Sequence, residues 1–202
     1  MSNDFADLWV WDDPNLKDRL DWYRRVSSNE LPAKYLIARR IPIQVPLDSE
    51  EEFLWRELER CTADFLELRG QVRSGEVLLG RLPRRRPDLV DLTVELSRRM
   101  LNHCNFCRWN CRVDRSVATR HGACQLAEET RVSSFFHHTG EELVYRGRRG
   151  SGTIFFTSCN MRCSFCQNGD ISTDKDNGTP VDARRLATMA WQLRVEGCHN
   201  IN

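Results

Sequence analysis

The chain has 202 residues, of which 40% are hydrophobic, and its 30 Lys and Arg against 29 Asp and Glu leave a formal charge of +1. That balance excludes wholesale disorder and any global field that would steer the chain toward nucleic acid or an anionic membrane, and the length suits one or two domains. No run approaches the ~18 apolar residues a membrane span needs, and MSNDFADLW has neither the basic start nor the apolar core of a signal peptide, so a cytoplasmic location is the default expectation.

In chain order, residues 1–47 are punctuated by Trp9, Trp11 and Trp22 and by Pro14, Pro32, Pro42 and Pro46, leaving room for one or two short helices. From Ser49, which with Glu52 forms a capping-box pattern, Leu54, Leu58, Cys61, Phe65 and Leu68 recur on one helical face until Gly70. Cys61 lies on that stripe and reads as a small buried hydrophobe. Arg81, Arg84, Arg85 and Arg86 sit among prolines in RLPRRRP, a linker or exposed turn too short to supply several coordinated phosphate contacts. A second helix is predicted from Asp88 to about Leu101, with Leu89, Leu92, Leu96 and Met100 inward.

That helix leads into Cys104-x2-Cys107-x3-Cys111, followed after twelve residues by Cys124, with the turn-former Gly122 just before it. Ligands from one short knuckle plus a fourth from a returning loop suit tetrahedral zinc or a four-cysteine iron–sulfur cluster, and the spacing does not choose between them. With four thiolates at hand, His103 and His121 are read as supporting or surface residues. His137 and His138 are adjacent, so their side chains diverge on either regular backbone and do not form a joint site. Glu141 to Gly147 reads as an extended edge element, followed by a glycine-marked turn.

Thr153 to Thr157 then reads as a buried strand, because Ile154, Phe155 and Phe156 form a short apolar run between Gly152 and Ser158. Immediately after it comes Cys159-x3-Cys163-x2-Cys166. Three thiolates on one loop at a strand's carboxyl end leave one iron of a cubane without a protein ligand and free for a small molecule; the alternative is a zinc or ferredoxin-type loop completed by a distant cysteine. Further on, Thr179 as cap, Pro180 at the first position and Asp182 as return partner predict a helix to about Glu196, with Leu186, Met189, Ala190 and Leu193 inward and Gly197 as its stop. Cys198 reads as a packing residue at the entry to a further strand. Seven of the nine cysteines thus fall in two tight groups, which favours reduced, metal-bound thiols over a secreted disulfide framework.

The loop, with Phe165 directly before its third cysteine, resembles the cluster loop of the radical S-adenosylmethionine (SAM) superfamily, and GSGTIFFTSCNMRCSFCQN is similar to relatives of pyruvate formate-lyase activating enzymes. The resemblance implies that Cys159, Cys163 and Cys166 ligate a [4Fe–4S] cluster, that Phe165 lies beside the adenine of SAM, and that reductive cleavage of SAM yields a 5′-deoxyadenosyl radical for hydrogen abstraction. Such an enzyme activates a glycyl radical protein or acts on another C–H bond, with an external electron donor and a protein substrate as partners and neither membrane nor nucleic acid among them. The same relatives resemble this chain in the upstream cysteine segment, which leaves its metal, zinc or iron–sulfur, open.

The implied fold class is α/β: a mainly helical region over residues 1–87, a helix and cysteine-rich connector over 88–147, and the first βα unit of a partial radical SAM barrel over 148–202. Only 36 residues follow Cys166, whereas a barrel consumes ~30 residues per unit. On this resemblance the chain is expected to be part of a longer protein, not competent by itself, and its single βα unit needs other elements to cover its faces. A different class, a non-catalytic zinc or iron–sulfur adaptor for nucleic acid or protein that draws on Cys104 to Cys124 and on Arg81, Arg84, Arg85 and Arg86, is the competing expectation; metal content separates the two.

Overall fold

The computed structural model describes residues 5, 7–117 and 121–202. They fall into two compact units, Trp11–Arg99 and Met100–Asn202 together with the residues up to Val10. The protein is mixed α/β, with a helical N-terminal region and one four-stranded mixed sheet.

In the helical unit, α1 (Pro14–Arg19), α2 (Asp21–Ser27) and α3 (Lys34–Ala38) are short and precede the long α4 (Glu51–Ser74) and α5 (Leu89–Met100). Both predicted apolar stripes face inward, and in the structure they meet, burying Leu54, Cys61, Leu89, Leu92 and Leu96 with Ile41. Burial pushes the Cys61 thiol up to about 11, in keeping with a packing role. Asp88 starts α5 by accepting from the backbone N–H groups of Val90 and Asp91, at 2.9 and 3.2 Å.

The ends of α4 differ from expectation. The capping residue is Glu50 and makes no side-chain cap, and the carbonyl of Ser49 is held instead by Arg99 Nη1 at 2.7 Å. Nor does Gly70 stop the helix. It lies in the interior, and one further turn buries Val72 against Leu31 and Ile37; the stop is Gly75, whose φ of 82° is left-handed.

In the second unit, the elements are β1 (Thr130–His138), α6 (Leu143–Arg146), β2 (Ser151–Phe156), α7 (Gly169–Ser172), β3 (Thr179–Val181), α8 (Ala183–Val195) and β4 (Asn200–Ile201). The sheet order is β3-β1-β2-β4. β1 runs antiparallel to both β2 and β3, while β4 runs parallel to β2. One βα unit, β2 to α8 to β4, is therefore present, with its helix on the sheet: Met189 and Leu193 of α8 pack with Val132, Ile154, Val181 and Cys198. Cys198 is buried, as the sequence suggested.

Three local expectations are corrected. Glu141 to Gly147 is not an extended edge, because α6 occupies most of it; the strand is upstream, in β1, so the cysteine-rich connector contributes a strand to the sheet that holds β2. Thr179 and Pro180 do not open α8 but form β3, pairing with Thr130 to Val132, and Asp182 is the cap, accepting from Arg185 N at 2.7 Å. The third concerns β2, which is buried from Ser151 to Ile154 but turns outward at its end, leaving Phe156 exposed.

Candidate metal centre

β2 delivers the chain to the three-cysteine loop through Thr157, a buried residue whose N–H bonds the carbonyl of Arg131 on β1 at 3.0 Å. Its hydroxyl reaches the carbonyl of Lys175 at 3.3 Å, and Arg131 secures the same returning segment by donating to the carbonyls of Lys175 and Gly178 at 2.7 and 2.9 Å. The loop is thus tied at its root from both sides. Ser158 follows in the left-handed region, φ 66°, and its N–H bonds the carbonyl of Ile171 at 2.8 Å; Arg162 is left-handed as well, φ 55°. A non-glycine residue held there costs on the order of 1 kcal/mol or more, and such strain concentrates at functional loops.

Cys159, Cys163 and Cys166 are partly exposed and free of disulfides. Hydrogen-bond donors already face two of the sulfurs: Met161 N lies 3.4 Å from Cys159 Sγ, and the Ser172 hydroxyl of α7 lies 3.5 Å from Cys166 Sγ. Phe165 projects into solvent at 89% exposure, and Met161 is similarly exposed.

The upstream cysteines form a tight knuckle. Cys104 is buried and exchanges backbone hydrogen bonds with the far arm, Cys104 N to Val113 O and Arg112 N to Cys104 O, each 2.9 Å; Asn110 N closes the turn on Cys107 O at 3.0 Å. Arg115 lies among the thiols. Its Nη2 donates to Cys124 Sγ at 3.2 Å and its Nη1 to Leu126 O at 2.5 Å. Burial opposes its charge, but the neighbouring Cys104 and Cys124 outweigh that and hold the guanidinium above its ordinary range. Cys111 Sγ accepts from Ala123 N at 3.4 Å. A side chain on Gly122 would have its Cβ only 3.0 Å from that sulfur, so glycine is needed for the close approach.

The two cysteine groups adjoin. Trp109 Nε1 donates to the carbonyl of Asn160 at 2.6 Å, and Arg162 donates from Nε, at 2.9 Å, and from Nη2 to the carbonyl of Ala123. Hydrogen bonds from the Trp109 backbone and then the Asn160 side chain lower the Cys107 thiol below its ordinary value. Asn160, the neighbour of Cys159, is the residue of the loop whose carbonyl the knuckle's Trp109 grips. Among the described residues no three His, Cys, Asp or Glu side chains are gathered where they would hold a single metal ion.

The histidines take other work. His137 bonds the Arg149 carbonyl and His138 faces Glu141 at 3.1 Å, so the adjacent pair diverges as expected. Sequence reasoning missed Arg115, Trp109, Asn160 and Arg162. Only their positions inside the cysteine motifs hinted at a role.

The arrangement is that of an α/β protein whose cysteine loop follows β2, a strand paired in parallel with β4. No protein-family description matches the chain, and no solved structure matches it. It is similar to "Uncharacterized protein MJ0674" of Methanocaldococcus jannaschii, with 36% identity over 154 residues. That stretch is 76% of this chain and 42% of the archaeal protein, so the chain spans less than half the length of this relative.

Proposed function

We propose that the chain carries the cluster-binding part of a radical SAM protein, of the kind related to pyruvate formate-lyase activating enzymes. The observation that carries the reading is the loop Cys159 to Cys166 at the carboxyl end of β2, the first strand of a parallel β2-α8-β4 unit. Ligands gather at that end in parallel α/β folds, and a partial (β/α) barrel built by repeating such a unit would place the loop at its mouth.

The donor set fits the cofactor. Three free thiols with N–H and O–H donors turned toward their sulfurs suit an iron–sulfur cube, whose ligands bind separate irons and do not converge on one ion. When bound, a [4Fe–4S] cluster with SAM on its fourth iron supplies one-electron cleavage of the sulfonium and a 5′-deoxyadenosyl radical for hydrogen abstraction. The chain's own residues position and tune. Cys159, Cys163 and Cys166 hold the irons, and the donors on Cys159 and Cys166 draw charge from the sulfurs. Thr157, Ser158 and Arg131 fix the loop root to the sheet. Exposed Phe165 offers an aromatic face at the site for the adenine.

Anaerobic reconstitution with iron and sulfide, followed by dithionite and SAM, tests the proposal. The expected result is a reduced-cluster signal in electron paramagnetic resonance that changes on adding SAM and disappears in Cys163→Ala, with 5′-deoxyadenosine formed by the longer protein. A reconstituted loop that gives no SAM-dependent change, or that holds zinc alone, overturns it.

A further inference from the structure

We propose that a groove at the amino end of α8 binds a small molecule bearing a divalent oxyanion, a phosphate ester or a dicarboxylate. The site is separate from the SAM reading and does not depend on it. The groove, of about 1120 Å³, runs between the segments around Arg115 and Glu128 and the first turns of α8, with β3 as its floor. Val132 pairs with Phe156 on β2 and with Thr179 on β3, so this floor lies beside the carboxyl end of β2, the end at which α/β folds gather ligands.

The charge of the groove is weighted toward cations. Arg184 and Arg185 stand in the first turn of α8, which holds no acidic residue, and neither guanidinium is paired with a carboxylate among the described residues. The amino end of a helix carries a partial positive charge, so two unpaired arginines there are electrostatically misplaced unless an anion joins them. Asp182 satisfies the N–H of Arg185 and leaves the other first-turn N–H groups for a ligand. A third cation, Arg115, lines the groove while only 8% exposed, and its Nε is buried without a hydrogen-bond partner among the described residues. Of the carboxylates on the rim, Glu129 is taken by Arg131 and Asp182 by its capping bond, which leaves Glu128 against three guanidinium groups. Planar guanidinium forks match the paired oxygens of a phosphate or carboxylate. An extended peptide suits the groove less, because β3 is an edge strand whose middle residue, Pro180, has no N–H to offer an added strand.

The test is calorimetric titration of the 202-residue chain with inorganic phosphate and, separately, with malonate, at constant ionic strength. Saturable binding at one site per chain is expected, with phosphate preferred if the natural ligand is a phosphate ester and malonate preferred if it is a dicarboxylate. Arg184→Gln and Arg185→Gln should each weaken binding roughly 10-fold or more, as loss of a charge-assisted fork requires. Each should also raise the melting temperature of the free protein, since it removes a charge that opposes the helix dipole. Arg194→Gln, in the last turn of the same helix, should leave binding unchanged. Absence of saturable binding, undiminished affinity in the Arg184 and Arg185 variants, or a melting temperature lowered in both overturns the proposal.

Discussion

Removing the fastening between the cysteine knuckle and the three-cysteine loop should loosen both without disturbing the sheet. The perturbation is Trp109→Phe with Arg162→Met, which keeps aromatic and apolar bulk but deletes the donors to the Asn160 and Ala123 carbonyls. A neutral hydrogen bond contributes about 0.5–1.5 kcal/mol net and one from a charged donor about 1.5–3; because Trp109 is exposed and Arg162 only half-buried, the low end of each applies, about 2 kcal/mol together. At 1.4 kcal/mol per factor of ten, local opening should rise roughly 10- to 100-fold. Hydrogen exchange reads this directly in protein freed of metal by chelation, where ligation cannot mask the contact. The amides of Ala123, Gln125 and Cys166, which bond within the knuckle and the loop, should exchange faster, while that of Ile154, which bonds the Asn202 carbonyl in the sheet, should not change. The single variants should fall short of additivity, since either remaining contact keeps the two segments together. Acceleration equal at all these amides would mean global destabilisation, and no acceleration would mean that the fastening holds nothing; either outcome overturns the prediction.

Gly152→Ala should lower the melting temperature, because the added methyl would lie 2.6 Å from Ile201 Cδ1 and 2.9 Å from Leu193 Cβ. Overpacking of this kind costs about 1–3 kcal/mol, about 2–4 °C for each kcal/mol in a chain of this size, and an unchanged melting curve would contradict the packing of α8 and β4 on β2. His199, stacked on Phe5 at 4.1 Å, is held below its ordinary value by burial and then by Arg194 and Arg149. Since the folded state resists its protonation, its stabilising contribution is complete above the ordinary value of about 6.5 and is lost as pH falls below it. Denaturant midpoints measured from pH 8 to pH 5 should therefore fall less steeply in His199→Phe; parallel curves would remove His199 from that pH dependence.

The sequence made legible whatever depends on local pattern. α5 follows from its apolar spacing, Asp88 and the last turn of α5 included, and β2 follows from an apolar run between Gly152 and Ser158. β1 was not legible, because a bulge between Val132 and Ser134 and the polar pair at its end break the alternation that marks a strand. β3 went unseen for the same reason at one remove, since three residues with a proline become a strand only when β1 is there to pair with. Gly70 misled because its cost of about 1 kcal/mol inside a helix is offset by what the extra turn buries at Val72. The cysteines announced a metal-rich region, yet Arg115 and Arg162 gained their roles only through folding, as partners of thiols and of a carbonyl far along the chain.

The acceptors in the knuckle-to-loop fastening are main-chain oxygens, and this makes its sensitivity one-sided. No substitution at position 123 can delete a carbonyl, so that position can drift among residues compatible with its backbone while the joint persists. Loss of the joint requires a change at the donors, Trp109 or Arg162. Sequence variation around the cysteines should then be tolerated unevenly, with the acceptor side free to wander and the donor side held in place.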